Sequence, residues 1–263
     1  MKRILFVSAA SLLVLSACKS LDAIPSSVPL AFISISTGDA PSVHRTSPTA
    51  YVVDAVNVSI PNSASSADTC AEIGFPGNTA VTPLAQVAAG SPVVVATTLD
   101  TAQLTPTPVD VNGYIFYRLP ANDSIRIVPG STGRVTIPGA PNAFHAFNFT
   151  FVNADSLKLA PLEASPDSTH DMPVAWSPQI GTQASIVLQL EFGTSASSVT
   201  SQIFCQFTDN GAHSVQASLA NVWRAANFRR VHAYRFLTTF NNDGTDEAGV
   251  ISTYATDSTV INP

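Results

Sequence analysis

Apolar side chains recur at every second position along most of this 263-residue chain. Runs of this kind are Ile33/Ile35, Val56/Val58/Ile60, Ile125/Ile127, Phe147/Phe149/Phe151, Met172/Val174/Trp176 and Ile186/Leu188/Leu190/Phe192. Successive side chains of a strand point to opposite faces of a sheet, so this spacing predicts half-buried β-strands. The pattern favours an all-β fold over a fold built from amphipathic helices.

One short segment has helical spacing instead. Val215, Leu219, Val222 and Trp223 share one side of a 3.6-residue period, which predicts about two helical turns near residues 215–224. Prolines and Gly-containing turns separate the strand-like runs elsewhere. Many short strands with regular turns and little helix indicate antiparallel β-sandwiches, and we expect two of them.

A polar stretch broken by Pro161, Pro166 and Pro173 divides the chain. We predict an N-terminal sandwich over residues 30–159, a linker over residues 160–173 and a C-terminal sandwich over residues 174–263. The N-terminal part either divides again near residues 105–108 or forms one irregular sandwich. The pattern fits both.

The N-terminus has the layout of an export signal. Lys2 and Arg3 precede an apolar run over residues 4–15, which is shorter than the ~20 residues a membrane-spanning helix needs. The residues Leu15-Ser16-Ala17-Cys18 resemble the bacterial lipobox, in which the Cys receives diacylglycerol, is freed by cleavage and is then N-acylated. The resemblance implies a signal peptide over residues 1–17, lipid such as palmitate on Cys18, and a tether over residues 18–29. An ordinary secretory signal is the alternative.

The net charge of the chain narrows the classes of partner that it could bind. Cleavage before Cys18 would remove two basic residues and shift the formal net charge from −6 to −8. An acidic chain with scattered basic residues is poorly suited to nucleic acid, whose phosphates require clustered Lys and Arg. We expect a cell-envelope protein that contacts a membrane through its N-terminal lipid. Lys19 after the lipid site resembles the pattern that sorts lipoproteins to the outer membrane of a two-membrane bacterium.

Two cysteines remain once Cys18 is acylated. Cys70 and Cys205 form an even pair in an oxidising compartment, which favours one disulfide. Two unpaired buried thiols are the alternative, because sequence alone does not place these residues side by side.

The C-terminal part carries a second resemblance. Its motifs in chain order are Val174-Ala175-Trp176-Ser177-Pro178, residues 186–190, residues 203–205, Asp209-Asn210-Gly211 and the basic-aromatic run over residues 229–235. Together with residues 123–127 and 135–138 upstream, they resemble the immunoglobulin-like β-sandwich of uncharacterised bacterial lipoproteins, over roughly the last 150 residues. The resemblance implies fold and location, and no activity.

The same motifs suggest where individual side chains lie. We expect Trp176 to fill the space between two sheets. Alternation puts Arg229 and Arg235 on one face of their strand and Arg230 on the other, and we expect them to lie on solvated sheet faces.

Residues with catalytic or metal-binding chemistry are scattered. His213 and Ser214, with Asp209 nearby, include the residue types of a catalytic triad, but neighbours on a strand point to opposite faces. The carboxylates of Glu163 and Asp167 have no fixed separation. Asp243 and Asp246 surround a Gly turn and are weak candidates for Ca²⁺ ligands, although a polar hairpin tip fits better. We expect no cofactor.

The sequence therefore predicts a non-catalytic structural or adhesive interaction module of the cell envelope, with an envelope protein or glycan as its partner. A carbohydrate- or peptide-binding module is the alternative, and Tyr114, Phe116 and Tyr117 are its clustered aromatic candidates. A hydrolase is a third hypothesis, which the scattered catalytic residue types disfavour.

Overall fold

The structure is a computed structural model that describes residues 28–37, 44–55, 68–74, 87–107, 116–163, 169–178, 184–242, 246–256 and 259–261. These residues form seventeen strands and one helix. In chain order, the elements are β1 (Val28–Thr37), β2 (His44–Thr46), β3 (Thr49–Ala55), β4 (Thr69–Gly74), β5 (Val93–Ala96), β6 (Thr101–Pro106), β7 (Tyr117–Arg118), β8 (Ile125–Ile127), β9 (Thr132–Ile137), β10 (Phe147–Val152), β11 (Met172–Ala175), β12 (Ser185–Ser195), β13 (Ser198–Thr208), β14 (Ala212–Val215), α1 (Ala217–Arg224), β15 (Phe228–Asn242), β16 (Glu247–Ala255) and β17 (Thr259–Ile261).

Thirteen strands belong to one large sheet. Its strand order is β10-β9-β5-β6-β7-β3-β1-β16-β15-β12-β13-β4, and β17 pairs with β15 off this path. Two further sheets have two strands each, β11 with β14 and β2 with β8. The pair β1–β16 is parallel, and the other pairs of these sheets are antiparallel. The predicted all-β, largely antiparallel sandwich fold is confirmed.

The alternating residues pack into the two larger of three hydrophobic clusters among the described residues. The first contains inward side chains of β1, β3, β5, β6, β9 and β10. The second contains inward side chains of β11, β12, β13 and β15, together with Trp223 of α1. Every described run that predicted a half-buried strand has its apolar members buried. The run Val56/Val58/Ile60 lies outside the described residues.

Strands from the two sides of the predicted domain boundary pair with each other in one sheet. In the large sheet β1 lies between β3 and β16, and β4 pairs with β13. Ala248 and Val250 of β16 pack in the first core. Strand β11 begins at Met172, inside the predicted linker. The bounds 30–159 and 174–263 stay a prediction, and the β-sheet is continuous between them.

The short helix α1 lies inside the predicted range of residues 215–224. Ala220, Trp223 and Arg224 are buried, whereas Val222 is 42% exposed. The period was therefore predicted correctly, but Val222 was wrongly assigned to the buried side. Val215 is buried at the end of β14, before the helix begins.

Cys70 and Cys205 are disulfide-bonded, which confirms the pair favoured from sequence. They face each other across β4 and β13, and Cys205 is fully buried. Because β4 is the end strand of the large sheet, the bond ties an edge to the second core.

Trp176 packs in the second core, where the sequence placed it. Its ring stacks on Phe207 with centroids 5.9 Å apart, and its indole Nε1–H donates to Asp209 Oδ1 at 2.6 Å. Burial of the indole is therefore accompanied by a hydrogen bond, as a buried donor requires.

The predicted solvation of Arg229 and Arg235 is wrong, because these side chains are buried, with exposures of 2% and 0%. Arg235 Nε donates to Asp209 Oδ2 at 2.7 Å, and neither side chain of this pair is exposed. Arg230, on the other face of β15, forms a 3.3 Å ion pair with Glu191. The alternation correctly predicted which face of β15 each arginine lies on. The inward guanidinium of Arg235, however, binds a buried carboxylate and not water.

Three backbone carbonyls complete the surroundings of Arg235. Its Nη1 donates to the carbonyl oxygens of Asp155 and Ser156 at 3.2 and 2.6 Å, and its Nη2 donates to that of Ser177. A fully hydrogen-bonded guanidinium is a condition for burying such a charge. The group joins the segment before the predicted linker, the loop after β11 and the turn that holds Asp209.

Candidate functional site

The lipidation residue Cys18 and the calcium candidate Asp243 lie outside the described residues. Asp246 is buried, and its Oδ2 accepts the backbone N–H of His145 at 2.6 Å and lies 2.7 Å from His145 Nδ1. No group of three or more His, Cys, Asp or Glu is arranged for a metal ion within the described ranges. The described residues therefore provide no set of ligands for the proposed calcium site.

The aromatic cluster that the sequence offered as a binding face is partly core. Tyr114 lies outside the described residues. Tyr117 is buried, and its hydroxyl accepts the backbone N–H of Ala89 at 2.9 Å. Phe116 is half-buried, packs edge-on against Tyr51 and carries the Arg118 guanidinium 4.4 Å from its ring centroid. Tyr117 serves the fold, so the two described residues do not form an exposed aromatic face.

The residues of the triad hypothesis do not converge. The ring of His213 stacks on Phe207 at 4.7 Å, and its Nε2 lies 3.2 Å from Asp68 Oδ1. Ser214 is exposed on the other face of β14, and Asp209 is engaged by Trp176 and Arg235. This arrangement gives Ser214 no base in the described contacts.

Of the two carboxylates proposed in the predicted linker, Glu163 lies within the described residues. Glu163 lies 3.0 Å from His170 Nε2 and accepts a hydrogen bond from Arg224 at 3.1 Å. Asp167 lies outside the described residues, so the separation of the two carboxylates is not defined.

Sequence reasoning missed an aromatic row on the outer face of β15. Its half-buried members alternate with the core residues of that strand and are Phe228, Arg230, His232, Tyr234 and Phe236. The ring centroids of His232 and Tyr234 are 6.3 Å apart, and those of Tyr234 and Phe236 are 6.1 Å apart. Burial, together with the nearby Glu191 carboxylate, raises the pKa of Tyr234 to about 12. The recurrence of aromatic side chains at every second position of this strand was the sequence signal that could have revealed the row.

The row ends at a groove between β10 and β15. The groove is open to solvent, has a volume of about 600 Å³ and is lined by Arg134, Asn148, Phe149, Thr150, Thr239, Phe240 and Asn241. Ligand sites commonly have volumes of about 300–1,000 Å³. Phe240 lies on the outer face of β15 and is one of the large hydrophobic side chains that are exposed, at 42%. An apolar ring thus stands among hydrogen-bonding side chains.

The glycine opposite Phe240 leaves room for its ring. Phe240 faces Gly249 across the β15–β16 pair, and a Cβ placed on Gly249 would collide with Cε1 and Cδ1 of the ring. The ring therefore lies over the glycine, in the space that a side chain would take. Aromatic cover of a strand glycine is a recognised way of stabilising a sheet. The glycine lets the ring serve as a positioned apolar platform.

The opposite wall of the groove is polar and carries one charge. Arg134 Nε donates to Asn148 Oδ1 at 2.6 Å, which holds both side chains on the outer surface of β9 and β10. Arg134 is the one charged residue among the seven that line the groove. The site can therefore stack an apolar surface on Phe240 while donating hydrogen bonds from Arg134 and the two asparagine amides.

No protein-family model matches this chain, and no curated protein matches it in sequence. Within the described part of the chain, no helix combines the length and apolar character that crossing a bilayer requires.

Proposed function

We propose that this protein is a lipid-anchored protein of the bacterial cell envelope that acts as a non-catalytic interaction module. The N-terminal pattern ending in Cys18 supports export and acylation. The Cys70–Cys205 disulfide fits an oxidising compartment. Lys19 supports sorting to the outer membrane.

The groove beside Phe240 is the observation that carries the binding part of the proposal. An exposed aromatic ring, fixed over Gly249 and faced by Arg134 and Asn148, has the mixed apolar and polar character of a recognition site. It lies on strands of the continuous large sheet, so its residues are held by a rigid scaffold. A structural or adhesive contact through this groove is the favoured function. The same features favour a carbohydrate- or peptide-binding module as the second candidate.

Metabolic labelling with radioactive palmitate tests the anchoring part. The wild-type chain should incorporate label, and Cys18→Ser should lose it. Ser20→Ala, a nearby substitution that keeps Cys18 and both disulfide cysteines, should be labelled like the wild type. Equal labelling of wild type and Cys18→Ser would contradict acylation at this residue, and so would the absence of label from both.

A further inference from the structure

We propose that the groove between β10 and β15 binds a pyranose unit of a glycan, with the sugar ring stacked on Phe240 and Arg134 favouring a ring that carries a carboxylate. The inference rests on the proposed function, because it names the ligand class of the same interaction module. It does not depend on acylation of Cys18.

The Phe240 ring offers a surface on which a sugar ring can stack. The face of an aromatic ring is electron-rich, so it attracts the positively polarised C–H groups on the apolar face of a pyranose. Phe240 is 42% exposed and has Gly249 beneath it, so a platform exists before any ligand arrives. A preorganised platform avoids the entropic cost of ordering a side chain on binding.

The polar side chains that line the groove can hydrogen-bond the hydroxyl groups of a sugar. Sugar hydroxyls both donate and accept hydrogen bonds, and the amides of Asn148 and Asn241 offer both functions. The Nε–H of Arg134 is used by Asn148 at 2.6 Å, which aims the remaining N–H groups from a fixed position. With no acidic residue among the seven lining side chains, the net charge of the groove favours an anionic ligand.

An extended peptide is the other ligand class that the groove could attract. Strand β10 is the end strand of the large sheet, and exposed edges pair with added strands. Edge pairing uses backbone groups and places no requirement on an aromatic ring. The exposure of Phe240 and the amide and guanidinium groups around it therefore favour a sugar over a strand.

Isothermal titration calorimetry on the detergent-solubilised full mature chain tests the proposal with two probes, a hexamer of galacturonic acid and a neutral hexamer of β-linked glucose. We expect both to bind and the acidic hexamer to bind more tightly. Phe240→Ala should weaken both by roughly tenfold. Arg134→Gln should remove the preference for the acidic hexamer, a change of up to about fivefold. Leu99→Ala, which removes a similarly exposed apolar side chain outside the groove, should change neither affinity.

Gly249→Ala tests the platform without changing any lining residue. The new Cβ would collide with the Phe240 ring and displace it, so affinity should fall as in Phe240→Ala, and thermal unfolding should stay close to that of Phe240→Ala, which removes the same aromatic cover. Absence of binding by both hexamers would overturn the proposal, and so would full affinity in Phe240→Ala. If the hexamers bind but palmitate labelling fails, the lipid anchor is wrong and the glycan site stands. If labelling succeeds and neither hexamer binds, the glycan site alone is wrong.

Discussion

Replacing Asp209 should be among the most damaging single substitutions in the second core. Asp209 and Arg235 are 0% exposed at their side chains and are joined at 2.7 Å, so Asp209→Ala leaves a buried guanidinium without its counter-charge. Breaking a buried pair in this way costs about 3–5 kcal/mol of unfolding free energy. The Trp176 indole also loses its acceptor, a change that is coupled to the first and therefore not simply additive.

Asp209→Asn separates the two effects. The amide oxygen can still accept the indole N–H of Trp176, while the charge that balances Arg235 is gone. We expect a loss near the lower end of the range, about 3 kcal/mol, because three backbone carbonyls still accept hydrogen bonds from Arg235. Comparing the two variants therefore separates the contribution of the charge to the unfolding free energy from that of the indole hydrogen bond.

Urea unfolding followed by far-ultraviolet circular dichroism, with the disulfide intact, measures these losses. Asp100→Asn is the matched control, because Asp100 pairs with Arg126 at 2.8 Å on the surface and should change stability far less. A loss of less than about 1 kcal/mol in Asp209→Ala would refute the reasoning that the Arg235–Asp209 pair is desolvated and needed by the core.

Three further outcomes are expected. Reducing Cys70–Cys205, which closes a loop between positions 135 residues apart, should lower the unfolding free energy by about 4–5 kcal/mol in urea titrations, and an unchanged midpoint would contradict this. Tyr234 should ionise near pH 12; its folded pKa lies above the usual 10.0, so the stability it contributes is lost as pH rises from about 10 to 12, and the phenolate absorbance of wild type minus Tyr234→Phe checks this value. Gly133→Ala should destabilise by about 1–3 kcal/mol in thermal unfolding, because its Cβ would collide with the Phe151 ring; wild-type stability would show that the ring can move away.

Local periodicity explains what could be predicted. The inward faces of β10 and β12 follow from residues two apart, so Phe147 to Phe151 and Ile186 to Phe192 were assigned correctly. The side on which α1 packs depends on its neighbours in space, and the sequence therefore misplaced Val222. The disulfide was predicted from compartment and number, and its placement on β4 and β13 required the sheet order.

The groove and the buried ion pair depend on contacts between distant residues. Asp209 and Arg235 are 26 positions apart, and no motif links a turn carboxylate to an inward arginine. Phe240 lies over Gly249 because the register of β15 and β16 sets the two residues opposite each other. Arg134 and Asn148 lie on β9 and β10, which are far from β15 in the strand order of the large sheet, and the three strands line the same groove. Such sites follow from register and sheet order, which single-sequence patterns do not determine.

Intact mass spectrometry of the mature protein purified from membranes tests the central claim most directly. The proposed lipid-anchored protein should begin at Cys18, carry the added mass of diacylglycerol and an N-linked acyl chain, and lack two hydrogens because of the Cys70–Cys205 bond. A mature chain without lipid mass, or one whose first residue lies elsewhere, would contradict it.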